Sequence, residues 1–167
     1  MNKLFITLIF TFLISLGLKA QISIGGGLVY GTEIENIGIS INGLYEINES
    51  WRAAPTFTYF LKKNYVNWSV LDLDAHYNFT EIENLGNLYA LGGLSLTFWN
   101  WDNDFNWGIP GLDLNGTEFG INLGVGLYKK INEGLILTPE LRYTLGDADY
   151  LRLGVKLFFS LDKLRKE

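Results

Sequence analysis

Phe119-Gly120-Ile121-Asn122-Leu123-Gly124-Val125-Gly126-Leu127 alternates an apolar residue with a small or polar one without a break. A repeat of two marks an extended strand with one apolar face, because successive Cβ atoms point to opposite sides of a sheet. Ile37-Gly38-Ile39-Ser40-Ile41-Asn42 and Leu151-Arg152-Leu153-Gly154-Val155-Lys156-Leu157 repeat the pattern. Working outward from these stretches, turn-forming clusters divide the chain into eight such runs, near 21–32, 36–48, 51–62, 65–80, 86–99, 116–130, 134–146 and 149–160. Asn48-Glu49-Ser50, Lys63-Asn64, Asn132-Glu133-Gly134 and Gly146-Asp147-Ala148-Asp149 supply short connections. The connection Asn100 to Asn115, which carries Pro110, is much longer. After Leu18 no segment of helical length follows a 3.6-residue period.

The runs are roughly 10–15 residues, against about 5–6 for an ordinary strand. A strand tilted near 45° needs about 9–11 residues to cross a bilayer, and only a closed sheet leaves no unpaired backbone edge in lipid. The expected fold is therefore all-β: an eight-stranded antiparallel up-and-down transmembrane barrel. Periodicity does not say which face points outward, and a soluble lipocalin-like carrier would enclose an apolar ligand with its apolar face inside. Three features favour lipid. The polar face holds Gly25, Gly27, Gly38, Gly120, Gly124, Gly126 and Gly154, small residues that suit a narrow interior. Its charges balance, with Glu46, Asp72, Asp74, Glu118 and Glu140 against Arg52, Lys62, Arg142, Arg152 and Lys156. Buried charges need such partners, because an unpaired one costs several kcal/mol. The apolar face carries Tyr30, Tyr45, Trp51, Tyr59, Phe79, Phe98, Tyr143 and Phe159, placed toward strand ends as in an interfacial girdle.

The first twenty residues read differently. Lys3, the apolar run Leu4 to Leu18 and the small Ala20 before Gln21 form the three parts of a secretory signal peptide. The run is short of the ~20 residues a spanning helix needs. The expected organisation is a cleavable leader 1–20, a barrel 21–160 and a periplasmic tail 161–167. With no cysteine in the chain, disulfides, thiolate chemistry and lipid attachment at cysteine are excluded. A net charge of −5 argues against nucleic-acid binding, which needs basic patches.

At its C-terminal end the chain resembles a known family. In Arg152-Leu153-Gly154-Val155-Lys156-Leu157-Phe158-Phe159, the residues Arg152, Gly154, Leu157 and Phe159 fill the places of the last-strand signal of outer-membrane barrels. Together with Leu137-Thr138-Pro139-Glu140-Leu141-Arg142-Tyr143, the segment looks like the eight-stranded outer-membrane β-barrel domain family, the small integral outer-membrane proteins of Gram-negative bacteria. The resemblance implies recognition of the last strand by the barrel assembly machinery, contact with outer-membrane lipids, periplasmic termini and four outward loops, the third the longest. It implies no single activity, since members range from structural anchors to adhesins and lipid-modifying enzymes.

Candidate chemistry is sparse. His76 is the only histidine, and Asp74 shares its strand face, so the pair could orient an imidazole as a general base. A place in a polar network of the barrel interior (Asp72, Asp74, His76, Glu118, Glu140, Arg142, Arg152 and Lys156) accounts for the same residues without catalysis. Asp102-Asn103-Asp104 lacks the glycine and distal glutamate of a calcium loop, so no metal is expected. Trp99 and Trp101 suit membrane-interface anchoring, while Trp101, Phe105 and Trp107 form a possible binding surface for an extracellular partner of loop 100–115. Asn122, on the polar face, is expected to tolerate Ser. The expected protein is non-enzymatic and without cofactor, a structural element or a binder through its outward loops. A lipid-modifying barrel enzyme and a soluble periplasmic carrier of an apolar ligand remain the alternatives.

Overall fold

A computed structural model describes residues 21–101, 115–147 and 149–161. Eight strands follow one another: β1 (Ile22–Gly31), β2 (Asn36–Glu46), β3 (Trp51–Lys63), β4 (Val66–Ile82), β5 (Gly86–Trp101), β6 (Asn115–Asn132), β7 (Leu135–Gly146) and β8 (Tyr150–Ser160). Each pairs antiparallel with the next, and β8 closes on β1, so the expected eight-stranded up-and-down barrel is the observed fold. The leader 1–20 and the tail beyond Leu161 lie outside the described residues, as do Phe105 and Trp107. The connections 32–35 and 64–65, the last residues of β5 and β7 and the first of β6 and β8 share one end of the barrel, here the loop end. Both ends of the described chain and the other three turns share the opposite, terminal end.

The register sets the stagger. Paired positions lead from Glu46 through Arg52, His76, Leu91, Gly124, Arg142, Arg152 and Gly31 back to β2 at Asn36, ten residues from the start. Such a shear tilts the strands and lets side chains fill the interior of an eight-stranded barrel. Alternation then sorts residues by face. On β4, Val70, Asp72, Asp74 and His76 are buried while Leu71, Leu73 and Tyr77 are exposed. On β6, Asn122 is buried and Leu123 is 52% exposed. The fold is inverted relative to a soluble domain, with charges inside and aliphatic side chains outside.

Lys62 departs from the expected polar face. The register of β3 against β4 shifts between Phe60 and Lys63, which breaks the alternation that had pointed Lys62 inward. It is exposed at the rim, its Nζ 5.9 Å from the Tyr65 ring centre. The turn that follows is tight: Asn64 and Tyr65 both have positive φ, 52° and 65°, as a two-residue primed hairpin requires.

Candidate functional site

Five strands bring their inward side chains together in the barrel interior. Arg152 of β8 grips Asp72 of β4 with two nitrogens, Nη1 to Oδ2 at 2.7 Å and Nη2 to Oδ1 at 2.9 Å. Arg142 of β7 also lies 2.8 Å from Asp72 Oδ2 and donates to Glu140 Oε1 at 2.7 Å. It comes within 2.8 Å of Asp74 Oδ2, a charge contact that is not aligned as a hydrogen bond. Lys156 donates to both oxygens of Glu140, at 2.9 and 3.0 Å, and the Tyr89 hydroxyl donates to Glu140 Oε2 at 2.7 Å. Three carboxylates thus meet three cations, and all six side chains are buried. In a low-dielectric interior such neutrality is what makes burial tolerable, because each ion keeps partners in place of water.

Asn122 of β6 ties the layer together. Its Nδ2 donates to Asp72 Oδ1 and Asp74 Oδ1, both at 2.9 Å. Its Oδ1 accepts from Thr144 Oγ1 at 2.8 Å and from Arg152 Nη2 at 2.9 Å. The tolerance to Ser read from the sequence does not survive this geometry, since a hydroxyl cannot reproduce four bonds.

The remaining expected members sit elsewhere. Glu46 and Arg52 form a separate pair at 2.9 Å toward the terminal end. Glu118 is inward on β6, but its Oε2 is buried without a hydrogen-bond partner and the central layer does not include it. His76, 1% exposed, does not pair with Asp74. Its Nδ1 meets the Tyr128 hydroxyl, and its ring stacks on Tyr89 at 4.4 Å. Tyr89 stacks in turn on Tyr128 at 4.3 Å, and the Arg52 guanidinium caps that ring at 4.5 Å. The dyad that would orient an imidazole as a base is not formed; the histidine is one plate in an aromatic column. His76→Ala should therefore lower the unfolding free energy by about 1–3 kcal/mol and leave the lipids of the host membrane unchanged. Lipid analysis of the host checks this, and a product missing only from the variant would place chemistry at His76.

Tyr89, Tyr128 and Asn122 had no place in the network read from the sequence. The signal was available: Tyr89 shares parity with Ser95 and Thr97, and it faces Gly126 across the β5–β6 ladder. A Cβ on Gly126 would come within 2.3 Å of the Tyr89 ring, so only glycine leaves room for it. Trp99 also departs from expectation. It lies on the inner side over Gly116, where a Cβ would meet its ring at 2.5 Å, and it neighbours Trp68 at 6.4 Å. Lipid-interface anchoring does not describe it. Trp101, 45% exposed, ends β5 at the loop-end rim.

The outer face completes the geometry. Ile39, Ile41, Leu73, Leu94, Ile121 and Val155 belong to a continuous aliphatic belt. Tyr30, Tyr59 and Phe98 stand toward the loop end, and Trp51, Tyr77, Phe79 and Phe159 toward the terminal end. A soluble monomer rarely exposes more than a few hundred Å² of contiguous apolar surface, whereas an apolar band between aromatic girdles is how a barrel meets a bilayer. Inside, the charged layer leaves a cavity of only about 10 Å³, lined by Asp72, Arg142 and Arg152 among others, which holds no apolar ligand.

Comparison with solved structures agrees. The N-terminal β-barrel domain of Pseudomonas aeruginosa OprF superimposes with a TM-score of 0.62 at 18% identity, covering 86% of this chain and 100% of that one. The fold is that of a small outer-membrane β-barrel. Neisserial surface protein A matches this barrel with a TM-score of 0.61 at 15% identity, over 85% of this chain and 97% of its own. Ail of Yersinia pestis matches it at 0.55 and 18% identity, over 84% and 95%. No protein-family model matches the barrel sequence, and no curated protein matches it. At these identities the likeness carries the fold alone.

Proposed function

We propose that this chain is an integral outer-membrane protein without catalytic chemistry of its own, a lipid-embedded scaffold that presents its loop end to the outside. The observation that carries this reading is the inversion of the barrel, with a neutral ion-pair layer inside and an aliphatic belt outside. In this reading the leader 1–20 exports the chain and is removed near Gln21. The barrel assembly machinery takes the last strand through Arg152, Gly154, Leu157 and Phe159. Leu157 and Phe159 point outward on β8, while Arg152 points inward onto Asp72, so Arg152 also serves the interior. The segment 161–167 ends in the periplasm.

The test is fractionation. The protein should stay in the outer-membrane fraction after a high-salt or alkaline wash, and an unboiled sample should migrate differently from a boiled one. Recovery in the soluble periplasm would reject the reading.

Contact with an extracellular partner belongs to the connection between β5 and β6, where Trp101 stands exposed at the rim and Phe105 and Trp107 follow in sequence. The barrel closes through strand pairing and its interior, so deleting Asn103 to Gly108 should leave the heat-dependent gel shift intact. Surface attachment of cells displaying the protein should fall. A deletion that prevents folding would mean that the segment packs into the barrel.

A further inference from the structure

The β5–β6 ribbon outruns the next strand at the loop end. Its ladder runs on to Asn100 and Asn115, whereas the β6–β7 ladder begins only at Gly120 and Gly146. One more residue of that side reaches β6. Asp147 donates its N–H to the Phe119 carbonyl at 3.1 Å, and its Oδ2 accepts from the Phe119 N–H at 3.0 Å. In an antiparallel sheet alternate residues bond to alternate sides, so Thr117 and Asn115 turn their N–H and C=O groups the same way as Phe119. Among the described residues nothing pairs with them there. Such an edge is a template for a further strand, because its unpaired groups are already aligned.

Charge selects what can pair with it. Glu118 stands on this edge with its side chain inward, opposite Thr97, and its Oε2 is buried without a hydrogen-bond partner. An inward charge on an open edge disfavours an apolar or acidic strand and admits one that brings a cation opposite it. The same end exposes Glu33, Asp147 and Asp149. Its cations among the described residues are Lys62 and Lys63, and Lys63 is held by Glu35 at 3.0 Å. We propose that the open edge of β6 takes an extended cationic peptide segment of an extracellular partner, antiparallel to β6, with a lysine or arginine opposite Glu118. The inference rests on the outward placement of the loop end under Proposed function and gives the extracellular partner a chemistry. The incoming strand continues the line of β7 past Asp147 and bonds Thr117 and Asn115. Directly opposite residues have Cβ atoms about 4.5–5.5 Å apart, within reach of a long basic side chain.

The test uses the full chain folded into phosphatidylcholine vesicles, with bare vesicles as the baseline. The probe is a fluorescein-labelled peptide of alternating lysine and threonine, followed by fluorescence anisotropy. The wild type should bind it saturably. It should not bind a glutamate–threonine peptide, nor the lysine–threonine peptide with every backbone nitrogen methylated, which keeps its charge but has no N–H for a ladder. Thr117→Pro removes a donor that the barrel does not use and should abolish binding. Glu118→Gln should weaken binding about tenfold or more, the scale of one hydrogen bond to a charged group. Glu33→Gln, at the same end but away from β6, should hardly change it. The heat-dependent gel shift of each protein reports the barrel independently. An intact shift with no peptide bound to the wild type would overturn the edge assignment and leave the membrane reading standing. Equal binding of the methylated or acidic peptide, or undiminished binding by Thr117→Pro or Glu118→Gln, would also overturn it. So would binding gained only when Asn103 to Gly108 is deleted, because the chain's own connection would then hold the edge.

Discussion

Asp72→Asn is expected to lower the unfolding free energy of the folded barrel by about 3–5 kcal/mol, because it breaks a buried pair and leaves the partner charges uncompensated. Asp72 is the only carboxylate that contacts both guanidiniums, Arg142 and Arg152, among the described residues. An amide there is nearly the same size, so the core packs as before. The loss is electrostatic: the layer goes from neutral to one positive charge in excess, in a place water does not reach. Urea unfolding in phospholipid vesicles, followed by tryptophan fluorescence, measures it. A loss below about 1 kcal/mol would resemble an exposed ion pair and would mean that water reaches the layer. Replacing Asp72 and Arg152 together with apolar residues of similar volume should recover much of the loss, because no charge is then stranded.

Leu123→Arg is expected to cost about 2–4 kcal/mol, the penalty for a cation on the lipid face near mid-bilayer. Leu123 is half-exposed in the middle of β6, beside Gly92 and Tyr143 on the neighbouring strands. Its neighbour Asn122 faces the other way and is fully buried. Asn122→Ser should cost about 1–3 kcal/mol for a different reason, the unsatisfied partners it leaves behind. Leu123→Phe, which keeps the face apolar, should be close to neutral. The same urea titration separates the cases, and a neutral Leu123→Arg would mean that the apolar face meets water rather than lipid.

Much of this architecture is legible in the sequence. Phe119 to Leu127 declares its two faces because alternation is a property of the extended backbone itself. Aromatic placement at Tyr30, Trp51 and Phe159 marked the outward face correctly. The interior was legible only as a set of inward positions, and parity placed Lys62 wrongly once the β3–β4 register shifted. Parity also set His76 beside Asp74 on one face, yet the Tyr128 hydroxyl meets the imidazole from another strand. Trp99 read as an interfacial residue by type, whereas its position in the strand put it inside.

The sequence by itself determined the number of strands, the closed sheet and which face points outward, because these follow from local periodicity, turn chemistry and composition. Tertiary structure alone decided which inward groups meet. Asp72 and Arg152 are 80 residues apart and join only because closure and a ten-residue stagger bring β4 and β8 to face each other across the interior.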